Sequence, residues 1–173
     1  MLNQFGFHHT FFQWILTILQ SDKLSIRFNG SLDGYFPCNR EVRQGDPLSP
    51  LLFYITEEVL SRGITNLILI NHILLMASPK GFCFPSHVLY ADDIFIFYRA
   101  SKRSLSSLMK FLHSYCLVSG QWINTSKVHF VIVDTSPSFL SEIKDVLGCS
   151  KGNIPFNYLR VPICVGSPKV WFF

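Results

Sequence analysis

The sequence predicts an α+β domain in which helices pack on one side of an antiparallel sheet. Three observations carry that prediction. Alternating apolar residues flank an Asn29-Gly30 turn signal. Two short apolar runs, His87 to Ala91 and Ile94 to Tyr98, are separated by only two residues. Several segments with helical apolar spacing are bracketed by capping residues.

Taken in order, Phe11, Trp14, Ile15 and Ile18 fall at helical spacing and predict a helix from His8 to Gln20. Leu24 to Phe28 alternates, and the chain returns at Tyr35 to Cys38, so the first hairpin is expected to have a loop slightly longer than minimal. Asp46 followed by Pro47 reads as an N-cap and first-turn proline, opening a helix that runs at least to Arg62. How far the apolar run from Ile64 to Met76 continues it is left open by spacing alone. The runs around Asp92 and Asp93 form a second hairpin. Ser101 then caps an amphipathic helix with Leu105, Leu108, Met109, Leu112 and Cys116 on one face, ended by Gly120. Val128 to Val133 reads as a buried strand. Ser136-Pro137 opens a helix with Leu140, Ile143, Val146 and Leu147 inward, stopped by Gly148. Tyr158 to Ile163 reads as a final short strand.

Composition bounds what such a domain can do. The chain has 173 residues, enough for one ordinary domain, and 49% of them are apolar, which excludes intrinsic disorder. Only 15% are charged against roughly 25% in ordinary soluble domains, while aromatics reach 15%. Either burial is unusually thorough or a missing part covers the excess. A net charge of +4 suits a phosphate-bearing partner without identifying one. The stretch from Gly63 to Pro79 is broken by polar residues and is too short for a membrane span. No Lys or Arg precedes the apolar run from Phe11 to Leu19, and no small-residue cleavage site follows it, so a signal peptide is not expected. The five cysteines are scattered, with no Cys-x-x-Cys, and read as free thiols of a reducing compartment.

The most informative segment is Tyr90-Ala91-Asp92-Asp93. With Asp92 and Asp93 as the two turn residues, the hairpin lacks the Asn-Gly or Asp-Gly chemistry that positive φ favours. It also sets two carboxylates side by side, where repulsion penalises their shared charge unless a cation intervenes. One reading is a hard-metal site, with Mg²⁺ suited to one or two carboxylates plus substrate phosphates. The other is a solvated acidic turn. A second segment, VRQGDPLSP at 42–50, places Arg43 and Gln44 before Gly45 and a helix N-terminus, an arrangement that attracts anions; it also reads as an ordinary loop-to-helix junction. In a third, GQWINTSK at 120–127, Lys127 has the reach to meet a phosphate or act as a general acid, or is simply solvated.

In this order and spacing the pieces resemble the reverse transcriptase domain of plant non-LTR (LINE-type) retrotransposons. The resemblance rests on FNGSLDGYF (28–36), VRQGDPLSPLLF (42–53), Glu58 to Arg62, HVLYADDIFIF (87–97), SGQWIN with Lys127, and YLRVPI (158–163). Asp46 and Asp92 stand about 46 residues apart, and the paired blocks make coincidence improbable. The resemblance implies a palm fold and RNA-directed DNA polymerisation with two Mg²⁺ ions about 3.5–4 Å apart. It also implies an RNA template, a DNA primer and deoxynucleotide substrates. Asp92 and Asp93 match the family's catalytic, metal-binding aspartates. Arg43, Gln44, Gly45 and Tyr90 match positions that contact nucleotide and template, and Lys127 matches the lysine near the leaving pyrophosphate. The expected organisation is a partial palm over 1–166 and a short tail over 167–173.

Several departures from the family pattern shape the functional expectation. The family's third metal ligand, an aspartate upstream of the segment matching Phe5-Gly6-Phe7, has no counterpart here, and nothing from Met1 to Leu19 is acidic. Against the same resemblance, the expectation is a chain that lacks most of the fingers, the thumb and any endonuclease or RNase H segment. Glu41 stands where relatives carry Gly, and Arg160 replaces the Gly of Tyr-Leu-Gly-Val-Pro, a change expected to cost about 1 kcal/mol if φ is positive. The expectation is a truncated palm that does not polymerise alone. Two alternatives stand beside it. One is an active polymerase whose coding sequence begins upstream. The other is a non-catalytic RNA-binding remnant acting through Arg40, Arg43, Arg99, Lys102 and Arg103. Nuclear residence follows from the family only.

Overall fold

The computed structural model describes residues 2–37, 45–77, 81, 84–132 and 135–164. The chain divides into two compact units, Met1–Gly63 and Ile64–Phe173.

The first unit opens with a 3₁₀ turn, Leu2–Phe5, followed by helix α1, His9–Ser21. His8 is the N-cap, its ring nitrogen accepting the Thr10 N–H at 3.3 Å. Of the apolar stripe on α1 only Ile15 is buried; Trp14 is 64% exposed. Strands β1 (Lys23–Phe28) and β2 (Ser31–Pro37) pair antiparallel with Phe28 opposite Ser31. The loop is therefore minimal, and the return strand begins at Ser31 rather than Tyr35. Asn29 and Gly30, at φ 47° and 87°, both take the positive φ of a type I′ turn, which brings the two strands together at once. A bulge between the Leu24 and Ile26 pairs uses Gly34 at φ 74°. Both strands are exposed along their whole length.

Helix α2, Leu48–Leu69, begins in the first unit and ends in the second. Asp46 caps it as its residue type predicts: its carboxylate accepts the Leu48 N–H at 2.8 Å and its carbonyl the Ser49 N–H at 3.1 Å. The helix takes the apolar run only as far as Leu69, and Asn71 at φ 55° turns the chain away. Leu60 and Ile64 are buried, while Arg62 pairs with Glu58 at 2.7 Å and lies 4.7 Å over the Phe5 ring.

In the second unit, β3 (His87–Tyr90) and β4 (Asp93–Ile96) form an antiparallel hairpin. Helix α3, Lys102–Ser119, runs from its Ser101 cap to Gly120 at φ 75°. After β5 (His129–Phe130), helix α4, Pro137–Leu147, runs from its Ser136 cap to Gly148 at φ 63°. The core lies where α3 and α4 pack, with Leu105, Leu108, Cys116 and Ile143 buried. Cys116 and Cys149 are buried free thiols, used as small hydrophobes.

Two expectations need correction. The predicted strand from Val128 is only two residues long among the described positions, Val133 lying outside them, and it pairs parallel with β6 (Ser150–Lys151) across α4. The predicted single strand at 158–163 is a hairpin of β7 (Phe156–Tyr158) and β8 (Val161–Ile163). Its turn residues Leu159 and Arg160 sit at φ 50° and 68° with no turn-forming side chain to betray them. The α+β class holds, but among the described residues the strands form four separate two-stranded ladders, one of them parallel, in place of one antiparallel sheet.

Candidate functional site

The hairpin β3–β4 is set by hydrophobic register. Val88 opposes Phe95 and Leu89 opposes Ile94, which leaves Tyr90 paired with Asp93. The turn is therefore Ala91-Asp92, one residue earlier than the expected Asp92-Asp93. Ala91 takes φ 50°, the positive value that the first central position of a type II′ turn requires. Asp92 thus occupies the apex and Asp93 opens β4; both are exposed, as is Tyr90 at 58%.

Strand alternation separates the two acids' surroundings. Asp93, Phe95 and the cross-strand Tyr90 share one side of the ribbon. On that side Phe95 meets the β7–β8 hairpin, stacking near-parallel on Phe156 at 5.9 Å and edge-on to Tyr158 at 4.4 Å. The Tyr158 hydroxyl oxygen is buried and has no hydrogen-bond partner. Burial pushes this phenol upward in pKa, and Asp93 and Tyr90 add to the shift. The ring contact brings Tyr158 to the Phe95 side of the acidic hairpin, whereas the sequence marks it only as part of YLRVPI. Its place against Phe95 depends on a tertiary contact that no local spacing encodes.

The remaining expected site residues are Gly45, Arg43, Gln44 and Lys127. Gly45 lies in the first unit, exposed at φ 87°, and a Cβ there would meet nothing within 4 Å, so backbone conformation rather than space calls for glycine. Arg43 and Gln44 lie outside the described residues, as do Arg40 and Glu41. Lys127 is exposed in the turn after α3, where its N–H donates to the Asn124 carbonyl at 2.9 Å. Among the described residues it makes no ion pair with Asp92 or Asp93.

No three His, Cys, Asp or Glu side chains among the described residues are grouped to hold a metal ion. Two adjacent, exposed carboxylates do fit a hard cation whose remaining ligands are water and substrate phosphate. They do not make a site closed by protein alone. No helix among the described residues is long and apolar enough to cross a membrane.

The sequence from residue 1 to 162 matches the profile of the family described as Reverse transcriptase (RNA-dependent DNA polymerase). The match reaches from the first helix into β8 and takes in both the acidic hairpin and the Tyr158 hairpin. The family works with divalent metals on a nucleic-acid template and nucleotide substrates. With its two carboxylates presented at a hairpin tip inside that match, the chain belongs to the reverse transcriptase family.

Proposed function

We propose that this chain is a partial palm of a plant non-LTR, LINE-type reverse transcriptase, with Asp92 and Asp93 as its Mg²⁺ ligands. The observation that supports this best is the exposure of both carboxylates at a two-residue hairpin tip within a family match over residues 1–162. Bound Mg²⁺ would supply charge neutralisation at the primer hydroxyl and at the departing pyrophosphate. The chain's own residues do the rest. Asp92 and Asp93 hold the cation from the apex and from the first position of β4. Lys127, exposed and unpaired with either acid, is free to meet the pyrophosphate and give it a proton. Arg43, Gln44 and Gly45, ahead of the Asp46 cap, serve nucleotide and template, and Tyr90 borders the same face as Asp93.

The pair gains no third carboxylate among the described residues. We therefore read these 173 residues by themselves as unable to sustain polymerisation, because transition-state charge is held by fewer ligands than a two-ion site needs. Primer extension on an RNA template with Mg²⁺ or Mn²⁺ tests this. The expected result is no sustained incorporation by the parent chain. Robust incorporation that disappears in Asp93→Asn would show that the chain completes its own site. Salt-sensitive RNA binding unaffected by Asp92→Asn, with no divalent-ion binding at all, would instead favour a purely RNA-binding remnant.

A further inference from the structure

Asp93 and Phe95 stand two residues apart on β4 and so project from one side of the ribbon. Phe156 and Tyr158 likewise share one side of β7, and both rings meet Phe95, in near-parallel and edge-on contact respectively. The Tyr158 phenol is thereby delivered to the side of the ribbon that carries Asp93. It is held there by the turn at Leu159 and Arg160, which directly follows it. Its hydroxyl is buried and unpartnered. A buried hydroxyl donor left unmade is costly, and the natural acceptor within its surroundings is a carboxylate.

We propose that Tyr158 is a positioning residue for Asp93: a side-chain rotation of Asp93 brings one carboxylate oxygen to accept the unpartnered phenol O–H and leaves the other turned outward for the cation. The proposal rests on reading Asp93 as a metal ligand. A charge-assisted bond of this kind fixes the ligand's rotamer before the metal arrives and satisfies the buried hydroxyl at the same time. Tyr90, on the same side but largely exposed, has water for its own hydroxyl and does not compete.

Mn²⁺ binding to the full 173-residue chain, followed by electron paramagnetic resonance without nucleic acid, tests this. Tyr158→Phe keeps the ring against Phe95 and removes only the hydroxyl. It is expected to weaken Mn²⁺ binding about tenfold, with thermal unfolding close to the parent's. Asp93→Asn is expected to abolish the same binding, and the double variant to be no weaker than Asp93→Asn alone. In the metal-free chain, Tyr158→Phe is also expected to move the side-chain carboxyl carbon resonance of Asp93 while leaving that of Asp33 in place. Parent-like Mn²⁺ affinity and an unmoved Asp93 resonance in Tyr158→Phe would overturn the positioning role while leaving Asp93 a ligand. Parent-like affinity in Asp93→Asn would instead overturn the ligand reading, and the Tyr158 role with it. If Tyr158→Phe unfolds, Tyr158→His, which restores a ring donor, is expected to keep part of the affinity. A folded Tyr158→His chain with no more affinity than Asp93→Asn would sink the proposal.

Discussion

Tyr158 stands edge-on to Phe95 with ring centroids 4.4 Å apart, and this contact joins the β7–β8 hairpin to the hairpin that carries both acids. Phe95 also stacks on Phe156 at 5.9 Å and on Phe97 at 6.1 Å, so one half-buried ring serves three partners. Phe95→Ala removes all three aromatic contacts and the ring's buried area. The expected loss is about 2–3 kcal/mol, below the value for a fully buried phenylalanine because part of the ring is already in water. Phe95→Leu should lose about half as much. Urea unfolding of the three proteins measures the order.

Arg160 takes φ 68° in the turn that follows Tyr158, a conformation in which a side chain crowds its own backbone. Arg160→Gly removes that crowding and is expected to stabilise the chain by about 1 kcal/mol. Arg160→Ala, which keeps a Cβ, should gain little. A raised unfolding midpoint for glycine but not for alanine would assign the effect to the backbone and not to the lost charge.

The two hairpin turns differ in how much of them the sequence reveals. Asn29-Gly30 announces itself, because both residues accept positive φ cheaply; only the start of the return strand, at Ser31, escapes local spacing. Leu159-Arg160 announces nothing, and a turn made of ordinary residues reads as continuous strand. The acidic hairpin falls between these cases. Its existence was legible from two apolar runs, but cross-strand pairing of Val88 with Phe95 moved the turn back by one residue. Helices α3 and α4 were legible end to end because their caps are local, Ser101 and Ser136 at one end, Gly120 and Gly148 at the other. The parallel pairing of β5 with β6 and the contact of Tyr158 with Phe95 join residues far apart in sequence. Neither leaves a periodic trace.

Tyr98 gives the fold a pH dependence at the alkaline end. Burial, with a smaller contribution from Cys149, pushes its phenol up to about 12. In the unfolded chain a tyrosine ionises near 10. Below pH 10 both states keep the proton and stability is undiminished. Between pH 10 and about 12 the unfolded state gives up a proton that the folded state retains, so stability falls as pH rises. The expected loss across that window is about 2–3 kcal/mol. Tyr98→Phe should remove this part of the slope. Urea midpoints taken from pH 9 to 11.5 on both proteins check it, and parallel slopes would contradict it.

The N-terminus of α3 allows a sharper comparison between two serines joined by two hydrogen bonds. Ser101 Oγ accepts the Ser104 N–H at 3.1 Å and donates to Ser104 Oγ at 2.9 Å. Ser104 is buried at 1% exposure, whereas Ser101 is only half-buried. Ser101→Ala removes the cap and strands the buried Ser104 oxygen without its donor, so the expected cost is about 1–2 kcal/mol. Ser104→Ala removes the buried oxygen itself; the cap on the Ser104 N–H survives, and Ser101 keeps access to water. That variant should lose less than 1 kcal/mol. In the double variant the stranded oxygen no longer exists, so its total cost should fall below the sum of the two single losses. A strictly additive double variant, read from denaturant unfolding, would mean that the Ser101–Ser104 hydroxyl bond contributes nothing beyond the cap.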